Sequence, residues 1–108
     1  MRKAEVLRNG ELAGFLVERD DRTYTFEYDP LWWADPSKPS ISLTLPKTNR
    51  KYESDHLFPF FCNMLSEGIN REFQARLLKI DPHDLFGLLV ATSGPDTIGA
   101  VTVKEIPK

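Results

Sequence analysis

His56, His83 and Cys62 are the whole stock of imidazole and thiol groups in this 108-residue chain. A zinc centre needs three or four such ligands converging on one point. Each histidine instead falls in the first turn of a predicted helix, where the positive helix end favours a neutral imidazole at the surface. His83 and Asp84 are adjacent, and neighbours on a helix diverge by about 100°, so they do not make an acid–base pair. Cys62 sits mid-helix beside Phe61 with no local base, the setting of a packed thiol rather than a nucleophile. Asp20, Asp21 and Asp96 are turn residues whose carboxylates could serve as acid and base only if the fold gathered them. The run Gly94-Pro95-Asp96-Thr97-Ile98-Gly99 lacks the lysine and the strand-to-helix context of a phosphate-cradling loop. The expectation is a protein with no catalytic, metal-binding or cofactor-binding residues, and therefore not an enzyme.

Two stretches carry binding chemistry instead. Lys47, Arg50 and Lys51 make a short basic loop. With 14 basic and 16 acidic side chains and a net charge of −2, the chain is poorly suited to neutralising phosphates, so this loop reads as solvated surface. Trp32-Trp33 is the second stretch. Adjacent residues of an extended segment point opposite ways, so only one tryptophan enters the local core easily. The other is available to a partner, and tryptophan is enriched at binding hot spots.

The surrounding elements follow from pattern. Residues 3–9 read as a strand with Ala4 and Val6 inward, Asn9-Gly10 as a tight hairpin turn, and residues 12–18 as the return strand. After a turn at Asp20-Asp21-Arg22, residues 23–28 form the clearest strand, with Tyr24, Phe26 and Tyr28 on one face. Residues 29–39 are irregular and contain three prolines. Ser40-Ile41-Ser42-Leu43-Thr44-Leu45 alternates strictly, which predicts a half-buried strand with Ile41, Leu43 and Leu45 on one side, stopped by Pro46. Ser54 or Asp55 would cap a helix to about Leu65 with Phe58, Phe61 and Leu65 inward, ended by Ser66-Glu67-Gly68. Asn70 would cap a second helix through about Lys79 with Phe73, Leu77 and Ile80 as its stripe. Asp81 would cap a third, with Pro82 at its first position and Leu85, Leu88 and Leu89 inward. Residues 98–106 close the chain as a strand.

This order predicts an α+β domain: an antiparallel sheet of about five strands, open or barrel-like, with two to three helices packed on it. The length suits one domain spanning residues 1–108. Hydrophobic residues at 41% and charged residues at 28% are globular proportions. A lone cysteine, and no run apolar enough for a signal sequence or a membrane span, lead to the expectation of a cytoplasmic protein without membrane contact.

Taken in order, several of these segments resemble the N-terminal subdomain of HipA-type serine/threonine kinase toxins. The resemblance is carried by Asn9-Gly10 and Gly14, Thr25-Phe26-Glu27-Tyr28, Leu31-Trp32 and residues 41–46. It continues through Phe60-Phe61-Cys62-Asn63-Met64-Leu65-Ser66-Glu67-Gly68, Asp84-Leu85-Phe86-Gly87-Leu88-Leu89, and residues 96–103. In that family the subdomain precedes a kinase core, and the kinase pairs with a helix-turn-helix DNA-binding protein of the HipB type. Some similar operons are tripartite and encode the subdomain separately beside a shortened, HipT-like kinase. The resemblance therefore implies a non-catalytic antitoxin subunit that binds and inhibits such a kinase, in a larger complex with a HipB-like protein. One alternative is a structural subunit that completes the kinase fold or its substrate site without inhibiting it. Another is a small nucleic-acid-binding autoregulator, for which only the loop from Lys47 to Lys51 speaks. The family commonly has Leu-Pro-Glu-Gly after the first helix, where this chain has Leu65-Ser66-Glu67-Gly68.

A hot spot joins a rigid anchor to a polar neighbour that sets register. Two segments meet that description and form the expected partner-binding site: Trp32 and Trp33 in the proline-flanked loop, and Leu65, Ser66 and Glu67 at the helix end.

Overall fold

The computed structural model describes residues 1–65, 69–93 and 100–106. Its first two strands, β1 (Arg2–Arg8) and β2 (Glu11–Glu18), make the hairpin that Asn9-Gly10 calls for. Asn9 and Gly10 both take positive φ, 52° and 83°, the left-handed geometry that matches a two-residue turn to strand twist. The register slips after Val6, which pairs with Gly14 while Leu7 pairs with Leu12. Ala13 is the extra residue of this bulge, and it is fully buried.

The third strand, β3 (Tyr24–Tyr28), pairs with β2, and its three aromatics line the core face as the alternation predicts. Gly14 makes room for them. A Cβ there would lie 2.5 Å from the Glu27 carbonyl oxygen and 2.9 Å from the Phe26 ring. Two further strands, β4 (Lys51–Ser54) and β5 (Val101–Ile106), complete a five-stranded antiparallel sheet in the order β4-β3-β2-β1-β5. The sheet is open, with β4 and β5 as its edges, and does not close into a barrel.

Four helices accompany it: α1 (Pro30–Ala34), α2 (Pro59–Cys62), α3 (Ile69–Leu78) and α4 (Leu85–Thr92). Phe61 of α2 and Phe86, Leu88 and Leu89 of α4 join Ala4, Val6, Leu16, Phe26 and Val103 in one hydrophobic core. Phe26 and Phe61 meet with ring centroids 5.9 Å apart. Arg2 ties this core shut at its rim. Its guanidinium donates to Glu18 on β2 and to Asp84 at the start of α4, across 82 residues of chain.

The segment 29–39, expected to be irregular, holds α1, and Asn70, expected as a cap, lies inside α3. Four further expectations are corrected. Residues 40–46 are not a strand but a turn, and β4 takes the place beside β3. The reason is Tyr28, whose buried hydroxyl accepts from Ile41 N–H and donates to the Leu45 carbonyl, groups a ladder would have used. The helix expected from residue 54 shrinks to α2, because Pro59 has no N–H to donate and suits only a first helical position. Asp81 does not cap the last helix: its carboxylate accepts from His83 N–H in the preceding turn, and Asp84 caps α4 by accepting from Gly87 N–H.

The fourth correction concerns α3. Phe73 and Leu77 of its expected inward stripe face out, 58% and 66% exposed, while Ile80 beyond the helix is partly buried against the core and Ala75 is buried. Residues two apart on a helix diverge by about 200°, so seating Ala75 turns Phe73 and Leu77 to solvent. The closing strand begins at Val101. Gly68, Gly94-Pro95 and residues 96–99 lie outside the described residues.

Candidate partner-binding surfaces

The proline-flanked segment folds into α1 because Asp29 caps it, accepting from Leu31 N–H, and Pro30 pre-sets its first turn. The short helix separates the two tryptophans. Trp32 is buried, and its indole N–H donates to the Pro39 carbonyl at 2.9 Å. Trp33 remains 40% exposed, with its indole N–H on the Lys47 carbonyl at 2.9 Å. The rings thus pin both ends of the loop between them. Trp32 belongs to the core, and Trp33 is the member of the pair with surface to offer.

The basic loop has a structural task. The Lys47 ammonium donates to the carbonyls of Asp35 and Lys38, each at 2.7 Å. Arg50 reaches the Tyr28 carbonyl and pairs with Glu27 at 3.2 Å, and Lys51 lies 3.9 Å from Glu53. These cations hold the chain around residues 35–51 together.

Leu65 is buried in the core beside Phe61, so it supports the helix end rather than projecting from it. Ser66 and Glu67 lie outside the described residues. The chain resumes in α3, and the sequence reading missed what that helix offers. Phe73 and Leu77, one turn apart, and Leu78, 45% exposed, give it an outward apolar face. Glu72, Arg76 and Lys79 are exposed around it. The signal was already present in the sequence as a stripe of helical period. Only which way the stripe points was hidden.

One polar cavity of about 330 Å³ is lined by Arg2, Glu18, Arg22, Tyr24, Asp81, His83 and Asp84. Arg2, Glu18 and Asp84 are already bonded to one another through the Arg2 guanidinium. Hydrogen bonding to Asp84 raises the Arg2 pKa, and the same contact holds the Asp84 carboxyl below the usual carboxylate range. Burial, with a hydrogen bond to Glu18, pushes the Tyr24 phenol up to about 12. Asp84 accepts from both Arg2 and Gly87 N–H, which leaves it a poor base for His83 or a substrate. Burial raises the Cys62 thiol, the opposite of what a nucleophile requires. Among the described residues no three His, Cys, Asp or Glu side chains are grouped to hold a metal ion, and no helix is long and apolar enough to cross a membrane.

Comparison with known proteins follows the same lines. The family model of the HipA N-terminal domain matches residues 4–104. An uncharacterized protein of Haemophilus influenzae (strain ATCC 51907 / DSM 11121 / KW20 / Rd) is 33% identical over 105 residues, 97% of this chain and 93% of its own length. The solved structure of the N-terminal domain of HipA toxin superposes with a TM-score of 0.75 at 28% identity, covering 100% of this chain and 95% of that one.

Proposed function

This chain belongs to the HipA N-terminal domain family, and from that premise we propose that it is a non-catalytic subunit that binds a HipA/HipT-type serine/threonine kinase and holds it inactive. Its counterpart would be HipS, the small antitoxin of tripartite systems that also contain a HipB-like DNA-binding protein. The cytoplasm, where such kinases act, is the compartment this role requires.

The observation that carries the reading is the outward apolar face of α3. A helix that leaves Phe73, Leu77 and Leu78 58%, 66% and 45% exposed gains only part of their apolar area for its own fold. It does gain a docking surface once another protein covers them. Ser66 and Glu67 precede α3 in sequence and are proposed as further contacts, with the buried Leu65 as support. Trp33 is a second point of contact. Restraint by occupancy asks no chemistry of the bound subunit, which agrees with a polar cavity in which Arg2, Glu18 and Asp84 already hold one another. A subunit covering the kinase's small lobe would impede movement of the nucleotide loop or entry of substrate.

The test is titration calorimetry with the purified kinase, alongside kinase activity against added subunit. Wild-type protein should bind and suppress phosphate transfer. Phe73→Ser/Leu77→Ser should weaken binding by about tenfold or more at unchanged melting temperature. Binding that leaves the kinase fully active would favour the structural-subunit alternative. A double variant that binds like wild type would remove α3 from the interface.

A further inference from the structure

The rotation of α3 is locked at its far end. Lys79 takes a positive φ of 57° just past the helix, and Ile80 N–H reaches back to the Ala75 carbonyl at 2.9 Å. This bond closes a helix end when the residue before it is left-handed. Ala75 belongs to the core and Ile80 packs against it, so the outward ridge of Phe73 and Leu77 is held in one direction. Glu72 and Arg76 lie one turn apart along one flank of that ridge, both exposed. Their spacing suits an ion pair within the helix. Among the described residues neither makes one, whereas Arg2, Arg19 and Arg50 are each paired with a carboxylate.

Such a face is complementary to itself. When two copies of α3 lie antiparallel about a two-fold axis, Phe73 of each meets Leu77 of the other. The flank carrying Glu72 and Arg76 then meets the same flank running the opposite way. Each Arg76 comes alongside Glu72 of the second copy, offset by two residues, about 3 Å at the rise of a helix. A two-fold interface requires this kind of self-matching. We propose that α3 pairs with α3 of a second copy of this chain, and that the pairing closes this face to the kinase. A face ten residues long is about 15 Å by 10 Å, well under the roughly 800 Å² per partner that a stable interface buries. The pair is therefore weak and gives way to a tighter partner. The closure rests on the kinase-binding reading; the pairing itself does not.

Sedimentation equilibrium of the full chain tests the pairing without any kinase. Wild type should dimerise reversibly with a dissociation constant on the order of 0.1 mM. Arg76→Glu and Glu72→Arg each set four like charges along the joined flanks, so each alone should associate at least about fivefold more weakly. An equimolar mixture of the two should recover the association of wild type, because each variant then meets its opposite. Both variants should melt like wild type, since the altered side chains are exposed. A wild type still monomeric at about 1 mM, or a mixture that associates no better than its parts, overturns the inference. Added kinase should dissociate the dimer into complexes with one copy of this chain per kinase. A complex that keeps two copies on one kinase overturns the closure. If wild type fails to bind the kinase while the charge-reversed mixture dimerises, the kinase reading and the closure fall and the pairing stands.

Discussion

Trp32 and Trp33 show how much one residue's place can differ from its neighbour's. A capped single helical turn places Trp32 in the core and Trp33 at the surface, and each still donates its indole N–H to a carbonyl. Their truncations should therefore diverge. Trp32→Ala removes a buried ring and should cost about 3 kcal/mol or more, lowering the melting temperature by on the order of 10 °C or more for a domain of this size. Trp33→Ala loses one hydrogen bond and a partly covered ring, about 1–2 kcal/mol, and should melt above Trp32→Ala. Thermal melts of the two variants check this, and equal losses would contradict the placement. If Trp33 also touches the kinase, its variant should bind more weakly while remaining folded.

At the scale of elements, the pairing of β2 with β3 depends on a close approach between strands. Gly14 lies under the Phe26 ring and against the Glu27 carbonyl, where any Cβ would overlap backbone that cannot swing aside. Gly14→Ala should destabilise the protein by about 1–3 kcal/mol, the cost of overpacking, despite the better strand propensity of alanine. Chemical denaturation provides the measurement, and a neutral result would mean that β2 and β3 part easily. The helices follow a different logic. The position of α2 is set by Pro59 and that of α4 by the Asp84 cap, both local signals. The rotation of α3 is set by burying Ala75, a choice local pattern cannot make.

For the whole molecule, the Arg2 cluster couples the first strand, the second strand and the last helix, and it should set part of the acid stability. The Asp84 carboxyl is held below its ordinary value chiefly by its hydrogen bond to Arg2. Between that depressed value and the unfolded value of about 4, the unfolded chain binds more protons than the folded one. Stability from this contact is therefore complete above about pH 4 and is lost as the pH falls through the folded pKa. Asp21 and Asp35, lowered by Thr23 and Ser37 at exposed turns, act in the same direction. Asp84→Asn should be less stable than wild type at neutral pH, and the difference should shrink as the pH falls below about 4. Urea midpoints from pH 7 to pH 2 test this. A constant difference would mean that the Asp84 charge contributes nothing to stability and would overturn this account.

Much of this protein was decided within short stretches of sequence. The Asn9-Gly10 turn, the aromatic face of Tyr24, Phe26 and Tyr28, and the inward leucines of the last helix all hold, because turn geometry and side-chain period act over a few residues. The opening three-stranded meander and the family motifs were legible for the same reason, whereas α1 and β4 were not. What only the tertiary structure decided is which side of an ambiguous segment meets the core. Residues 40–45 carry a strand's alternation, yet the Tyr28 hydroxyl, distant in sequence, claims their backbone groups and turns Leu43 outward. The α3 stripe has the period of a buried face, yet the helix seats on Ala75. The candidate contact face on α3 arises from the second of these choices. An apolar side chain left out of the core obeys the same local pattern as one inside it, and only the packing of distant residues separates the two.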